Sequence, residues 1–149
     1  RTVAPDEFFL TYLLTALEPV EMVKEIHFPV LSPTSGYSFV ELARRHGDFG
    51  LVEVATVLDF DSEGLISLAR LAVGGAGPVP CVLEEVEEFL IGNKPSVELF
   101  QEAAEKVDAF VDPEGDIHGS AEYRRHLASV LTKRALHKAS ERAQGGVRV

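Results

Sequence analysis

Cysteine is almost absent from this sequence, because Cys81 is the only one among 149 residues. A single cysteine cannot form an internal disulfide, and such scarcity is typical of proteins from a reducing compartment, so a cytoplasmic location is expected. Long apolar runs are also missing, which argues against a transmembrane helix. The sequence begins at Arg1 rather than Met and has no apolar signal region, so it leaves open whether the chain is a fragment or a separate polypeptide.

Positive charge is scarce as well. The chain has 14 Lys and Arg against 24 Asp and Glu, a formal net charge of −10. This balance disfavours non-specific binding to nucleic acid, since phosphates require a basic face. The charge is uneven: residues 84–116 hold eleven of the acidic residues, whereas residues 124–148 hold seven of the basic ones. Two solvated helix faces of opposite sign would explain this pattern, and a face that docks a partner is the alternative.

The usual catalytic motifs are absent. The sequence contains no phosphate-binding Walker loop, no Gly-x-Ser-x-Gly elbow and no His-Glu-x-x-His zinc motif. Cys81 has no histidine partner nearby in the sequence, which favours a small buried residue over a nucleophile. Glu122 and His126 lie four residues apart without a second ligand pair, which favours an intrahelical contact over a metal site. We therefore predict no catalytic residue and no metal ligand.

The first half of the chain shows a short helical pattern followed by strand patterns. The apolar stripe in residues 5–17 predicts a helix that begins at Pro5. Alternating apolar residues then predict four strands, over residues 22–28, 37–45, 51–59 and 65–73. The turn signal from Asp61 to Gly64 joins the last two strands, and connections this short favour antiparallel hairpins.

The apolar period changes from two to nearly four after a segment rich in glycine and proline, residues 74–80. A phosphate cradle there would need backbone N–H groups, which Pro78 and Pro80 lack, so a tight connection from sheet to helix is the better interpretation. Three helices are expected afterwards, with Ser96 and Ser120 as N-caps of the second and third. The sequence thus predicts an α+β fold, with an antiparallel sheet of three to four strands followed by three helices packed on one face.

Arginines stand at two conspicuous places. Arg44 and Arg45 end the second predicted sheet strand of the chain, where Asp48 could pair with one of them. Arg124 and Arg125 follow Tyr123 in the first turn of the last helix, where the helix dipole disfavours cations. We therefore expect Tyr123 to be buried, and Arg124 or Arg125 to donate a hydrogen bond to the sheet.

Two segments, taken in order, carry a family resemblance. They run from Phe39-Val40-Glu41-Leu42-Ala43-Arg44-Arg45-His46-Gly47-Asp48 and from Ser120-Ala121-Glu122-Tyr123-Arg124-Arg125 to Arg134-Ala135-Leu136. With the glycine stretch between them, and with Ile26-His27-Phe28-Pro29 before them, this set resembles the C-terminal domain of the FAD-carrying subunit of molybdenum hydroxylases. That group includes xanthine dehydrogenase and carbon monoxide dehydrogenase. The resemblance covers roughly residues 8–140.

The resemblance implies a part of an oxidoreductase complex and not a complete catalyst. In such a complex a molybdopterin subunit oxidises the substrate, an iron–sulfur subunit carries electrons through [2Fe–2S] clusters, and FAD delivers them to an external acceptor. The main FAD-binding domain would precede this chain. The implied domains are a tail of, or linker from, that domain at residues 1–20, the flavoprotein C-terminal domain at 21–143, and a frayed tail at 144–149.

The resemblance also implies two cofactor-binding residues, Met22 and Glu41. Met22 matches an apolar residue that lies against the flavin ring in relatives, and Glu41 matches a position that is often lysine. Residue chemistry alone leaves a different class open, a stand-alone α+β protein-interaction module without a cofactor. The sequence selects neither the substrate nor the electron acceptor.

Overall fold

The computed structural model describes residues 1–145 and divides the chain into two compact units, Arg1–Leu31 and Ser32 onward. The predicted boundary at residue 20 stays a prediction. The predicted frayed tail falls largely on residues 146–149, which lie outside the described residues.

The first unit differs from the predicted helix over residues 5–17. Helix α1 covers only Pro5–Phe8, and a small antiparallel hairpin follows, with strands β1, Phe9–Thr11, and β2, Leu14–Thr15. Leu13 closes its turn with a φ of 55°. The prediction failed because its apolar stripe finds no core inside this unit: Phe9, Leu13 and Leu17 all stay exposed.

The predicted strand over residues 22–28 is also wrong. These residues have no regular secondary structure, and no strand pairs with them among residues 1–145. An alternating pattern becomes a strand only where a neighbour receives its backbone hydrogen bonds. Arg1 instead organises the start of this unit, because its guanidinium donates to the Glu21 carboxylate at 2.7 and 2.9 Å and to the Ala16 carbonyl.

The second unit contains a four-stranded antiparallel sheet in the order β3-β4-β5-β6. Its strands are β3, Gly36–Ala43; β4, Gly50–Phe60; β5, Ile66–Gly74; and β6, Cys81–Val82. The predicted hairpin between β4 and β5 is confirmed. Asp61 holds its turn by accepting from the backbone N–H groups of Glu63 and Leu65, both at 2.9 Å. The two-residue strand β6 was not predicted.

Three helices follow the sheet, as predicted. They are α2, Glu84–Leu90; α3, Val97–Lys106, continued by a 3₁₀ turn over Val107–Ala109; and α4, Ala121–Gly145. Both predicted caps are confirmed: Ser96 Oγ accepts from the Leu99 N–H at 3.0 Å, and Ser120 Oγ from the Tyr123 N–H at 3.1 Å. Helix α4 packs across β3 and β4 and α2 packs on β5, while α3 lies against α4 and α2.

Alternation along the strands decides which sheet face the helices cover. Val52, Val54 and Leu58 of β4 are fully buried, and they point to the same face as Ile66, Ala69 and Val73 of β5. The helices fill that face mainly with leucine, valine and alanine, and Phe100 is the largest buried side chain. The opposite face of the sheet receives no helix of this unit among the described residues. Within the described part of this unit, helices therefore cover only one face of the sheet.

A buried glutamate ties α2 to the sheet where β6 ends. Glu87, 5% exposed, accepts from the Leu71 N–H at 2.7 Å and from Arg70 at 3.1 Å. Its carboxylate takes the place of a neighbouring strand beyond the two-residue β6, so the buried N–H of Leu71 is satisfied.

We expect Glu87→Ala to lower the free energy of unfolding by about 2 kcal/mol, because a buried N–H loses a charged acceptor. Glu88→Ala, in the same helix but exposed, serves as the matched control and should change stability by less than ~0.5 kcal/mol. Urea unfolding of both variants measures the difference. Equal midpoints for the two variants would show that water replaces the carboxylate without cost.

Candidate functional site

Arg124 joins the last helix to the sheet and to the loop that precedes the helix. Its Nη1 donates to the carbonyl of Leu51 at 2.6 Å and reaches the carbonyl of Gly75 at 3.3 Å. Its Nη2 donates to Asp116 Oδ2 at 2.9 Å, and the Arg124 side chain is only 11% exposed. The guanidinium therefore fastens the start of α4 to β4, to the end of β5 and to the loop before α4. The expected bond from this arginine pair to the sheet is confirmed for Arg124.

Asp116 organises the loop that leads into α4. Its Oδ1 accepts from the backbone N–H groups of His118 and Gly119, at 2.8 and 3.0 Å. These backbone bonds, the first of them above all, lower the pKa of the Asp116 carboxyl, and the Arg124 guanidinium lowers it further. The carboxylate therefore remains charged at neutral pH and holds both Arg124 and the backbone turn.

The glycine stretch forms a close backbone contact, as the tight-connection interpretation expects. Gly75 has a φ of +72°, and a Cβ built on it would lie 2.4 Å from the Leu51 carbonyl oxygen. Only glycine fits this position, since a side chain would meet both backbone strain and the carbonyl. Leu51 and Gly75 are also the two residues whose carbonyls Arg124 binds, so the glycine stretch and the arginine motif form one structural unit.

Other expectations for the arginines are wrong. Tyr123 is 44% exposed rather than buried, because its ring lies over Gly119 at the helix start and not in the core. Arg125 stays on the surface, 3.7 Å from Asp108 and 3.6 Å from Asp112. Asp48 forms no ion pair with Arg44 or Arg45 among the described residues. Arg44 instead contacts His118 Nδ1 at 2.5 Å, which joins the β3–β4 turn to the loop before α4.

The uncovered sheet face carries mostly apolar side chains. Phe39, Ala55, Ala72 and Val82 form one row across all four strands, because each is paired with the next in register. Phe39 is 59% and Val82 56% exposed. We call this surface the open face; it consists of Tyr37, Phe39, Glu41, Glu53, Ala55, Val57, Arg70, Ala72 and Val82.

Glu41 lies at one end of the open face, directly opposite Glu53 of the neighbouring strand. On its other side Glu53 is paired with Gly74 of β5. Because glycine has no side chain, β5 places no side chain beside the two carboxylates in that row. Like charges that face each other across two strands destabilise a sheet. Sequence reasoning singled out Glu41 but not Glu53, although the register of the two strands would have indicated the pair.

Met22 lies in the other unit, in the segment without regular structure, and is 84% exposed. The flavin contacts predicted for Met22 and Glu41 both stay predictions. Among residues 1–145, no three His, Cys, Asp or Glu side chains group in a way that could hold a metal ion. Within the same residues, no helix is both long enough and apolar enough to span a membrane.

The sequence of the sheet and the helical layer matches a known protein family. Residues 37–139 match the model of the CO dehydrogenase flavoprotein C-terminal domain. This chain belongs to that family. The matched range contains almost all of the sheet and of the helical layer, so the resemblance drawn from short motifs is confirmed.

Relatives with known roles agree with the family assignment. The chain is 36% identical over 142 residues to the nicotine 6-hydroxylase medium subunit of Paenarthrobacter nicotinovorans, with 95% of this chain and 49% of the relative covered. It is 32% identical over 139 residues to the carbon monoxide dehydrogenase medium chain of Hydrogenophaga pseudoflava, covering 93% of this chain and 48% of the relative.

A solved structure confirms the fold. Quinoline 2-oxidoreductase from Pseudomonas putida 86 superposes with a TM-score of 0.89 at 31% identity, over 96% of this chain and 49% of the other. The chain thus spans about half the length of the relatives that it matches.

Proposed function

We propose that this chain is the C-terminal part of the flavoprotein subunit of a molybdenum hydroxylase. In that complex FAD would relay electrons from [2Fe–2S] clusters to an external acceptor, and the molybdopterin subunit would oxidise the substrate. The observation that carries the proposal is the match over residues 37–139 to a flavoprotein domain, together with relatives described as medium subunits. The partners would be a molybdopterin-binding large subunit and an iron–sulfur small subunit, and a cytoplasmic location stays a prediction.

The open face supports a role as one part of a larger assembly. A contiguous apolar surface of this kind on a sheet is unusual in a stable monomer and marks a binding surface. Tyr37, Phe39 and Val82 are each about half exposed on it. In the proposed flavoprotein this surface would pack against the half of the subunit that binds most of the FAD.

Glu41 and Met22 are proposed as residues that contact the flavin ring. Glu41 is exposed at the end of the open face, beside a second carboxylate, Glu53. A negative side chain near the ring opposes the negative charge of reduced flavin, whereas a lysine would stabilise it. The proposal therefore places a carboxylate at a position that affects the reduction potential of the flavin. The role of Met22 would be apolar contact.

The polypeptide expressed in full from its gene should purify yellow with a flavin absorption spectrum, and residues 1–149 alone should bind FAD weakly, because no phosphate-binding loop is present. The visible absorption spectrum measures the first result, and a titration of FAD followed by quenching of flavin fluorescence measures the second. A colourless full-length protein, or sub-micromolar FAD affinity of residues 1–149 alone, would contradict the proposal; the first result would favour the stand-alone interaction module.

In the yellow protein, Glu41→Gln should raise the two-electron flavin potential by on the order of 30 mV, equivalent to ~1.4 kcal/mol.

A further inference from the structure

The two glutamates at the end of the open face form a close pair of negative charges. The Tyr37 carbonyl accepts from Arg142 at 2.7 Å, so the backbone groups of Tyr37, and by alternation those of Glu41, point away from β4. Glu41 and Glu53 therefore face each other without mutual backbone hydrogen bonds, an arrangement that brings opposite Cα atoms to about 4.5 Å. Two carboxylates thus share one small area of a mostly apolar face.

Neither glutamate forms an ion pair within residues 1–145. The other titratable or charged side chains of the open face and of the β3–β4 turn are Tyr37, Arg70, Arg44, Arg45, His46 and Asp48. Arg70 pairs with Glu87, and Arg44 contacts His118. Arg45 and Asp48 carry opposite charges in the same turn. The pair of glutamates therefore leaves a local excess of negative charge.

Two glycines hold the side chain of Glu53 in place. Its Cγ lies 2.7 Å from the position of a Cβ built on Gly50, and its Oε2 lies 3.8 Å from a Cβ built on Gly74. The side chain therefore packs against the backbone at both positions and is partly buried. The adjacent row of the open face carries the small residues Ala55 and Ala72. Because these side chains are short, the surface beside Glu53 is shallow and fits the edge of a planar ring.

We infer that Glu53 acts with Glu41 to keep the reduced flavin protonated, and hence uncharged, in this protein. The inference rests on the proposed function, because it starts from the proposed contact between Glu41 and the flavin ring. Reduced flavin that loses its N1 proton carries a negative charge, which two carboxylates beside the ring oppose. Two electrons from the iron–sulfur clusters therefore enter together with two protons from water, one at N5 and one at N1. Glu53 exerts this effect through its charge and requires no contact with the ring.

The number of protons taken up with the electrons determines how the flavin potential depends on pH. One pH unit is a tenfold change in proton concentration, which equals about 30 mV for one proton per two electrons and about 59 mV for two. We therefore expect the wild-type potential to fall by about 59 mV per pH unit from neutral into alkaline pH. Without one of the two carboxylates the N1 proton is lost more easily, so the slope should approach about 30 mV per unit there.

The test measures the flavin potential of the yellow full-length protein by spectroelectrochemistry from slightly acidic to alkaline pH. At the alkaline end, Glu53→Gln should raise the potential by on the order of 30 mV, a tenfold change in the equilibrium constant for reduction, and should lower the slope. Glu53→Asp keeps the charge and should keep the wild-type slope. Glu63→Gln is the matched control, because Glu63 is exposed in the β4–β5 turn at the other end of the sheet. It removes the same charge and should leave potential and slope unchanged.

A wild-type slope of about 30 mV per pH unit, or a slope that Glu53→Gln leaves unchanged, would overturn the inference. The yellow colour of the protein would leave the proposed function intact in both cases. An equal change in Glu63→Gln or in Glu53→Asp would also overturn the inference, since total charge or local packing would then explain the effect. A colourless wild-type protein would overturn the proposed function and this inference together.

Discussion

Replacing Gly36 with alanine is expected to lower the melting temperature by on the order of 10 °C. A Cβ on Gly36 would lie 1.9 Å from the Ala139 carbonyl oxygen and 2.6 Å from the Ala143 backbone nitrogen. Both are backbone atoms of α4, so no side-chain rotation relieves the overlap and the helix must move away from β3. Overpacking of this severity costs about 3 kcal/mol, and each kcal/mol shifts the melting temperature of a domain this size by about 2–4 °C.

Gly77→Ala is the control for the Gly36 prediction. The Cβ at that position meets only the Val79 carbonyl oxygen at 3.7 Å, an ordinary contact. This variant should melt within about 2 °C of the wild type. Differential scanning calorimetry compares the two proteins. If Gly36→Ala and Gly77→Ala have the same melting temperature, the close packing of α4 on the start of β3 is not present in solution.

Arg124→Ala is expected to lower the free energy of unfolding by about 3 kcal/mol, because it removes charged donors from two backbone carbonyls and from Asp116. The Leu51 carbonyl lies against the Gly75 backbone in a close contact that only glycine allows, and Arg124 donates to the carbonyls of both residues. Arg124→Lys should recover part of the loss, since an ammonium supplies charge but not the planar fork of donors.

Arg125→Ala is the matched control for the Arg124 prediction. Its nearest carboxylate contacts are long, at 3.6 and 3.7 Å, and lie on the surface, so its loss should change stability by less than ~0.5 kcal/mol. Equilibrium unfolding in urea measures both variants. Equal losses for Arg124 and Arg125 would refute the assignment of the buried role to Arg124.

The sequence predicted the sheet and the helical layer well because their patterns are long and locally consistent. In β4, Val52, Val54, Thr56 and Leu58 alternate without interruption, and all four are buried as expected. The turn from Asp61 to Gly64 and the caps Ser96 and Ser120 act within four residues, so local chemistry determines them. The predictions for residues 5–17 and 22–28 failed for the opposite reason. Their apolar patterns are as clear, but Phe9, Leu13 and Leu17 stay exposed, and residues 22–28 pair with no strand among the described residues.

The candidate site was predictable in part. The ordered motifs were sufficient to identify the family, and they singled out Arg124 together with Arg125. They could not decide between the two residues, because neighbours on a helix differ by about 100° and only the position of the sheet decides which one points inward. The contact between Arg44 and His118 was equally hidden, since 74 residues separate the two along the chain.

The sequence by itself determined the family, the fold class and the order of the elements, because these depend on periodicity, turn residues and motif order. The tertiary structure alone decided that Arg124 binds the carbonyls of Leu51 and Gly75, that Glu41 faces Glu53, and that no helix between Ser32 and Gly145 covers one face of the sheet. Each of these depends on strand register or on how a helix lies across the sheet. Contacts between residues distant along the chain form only when the core packs, and no local pattern encodes their geometry.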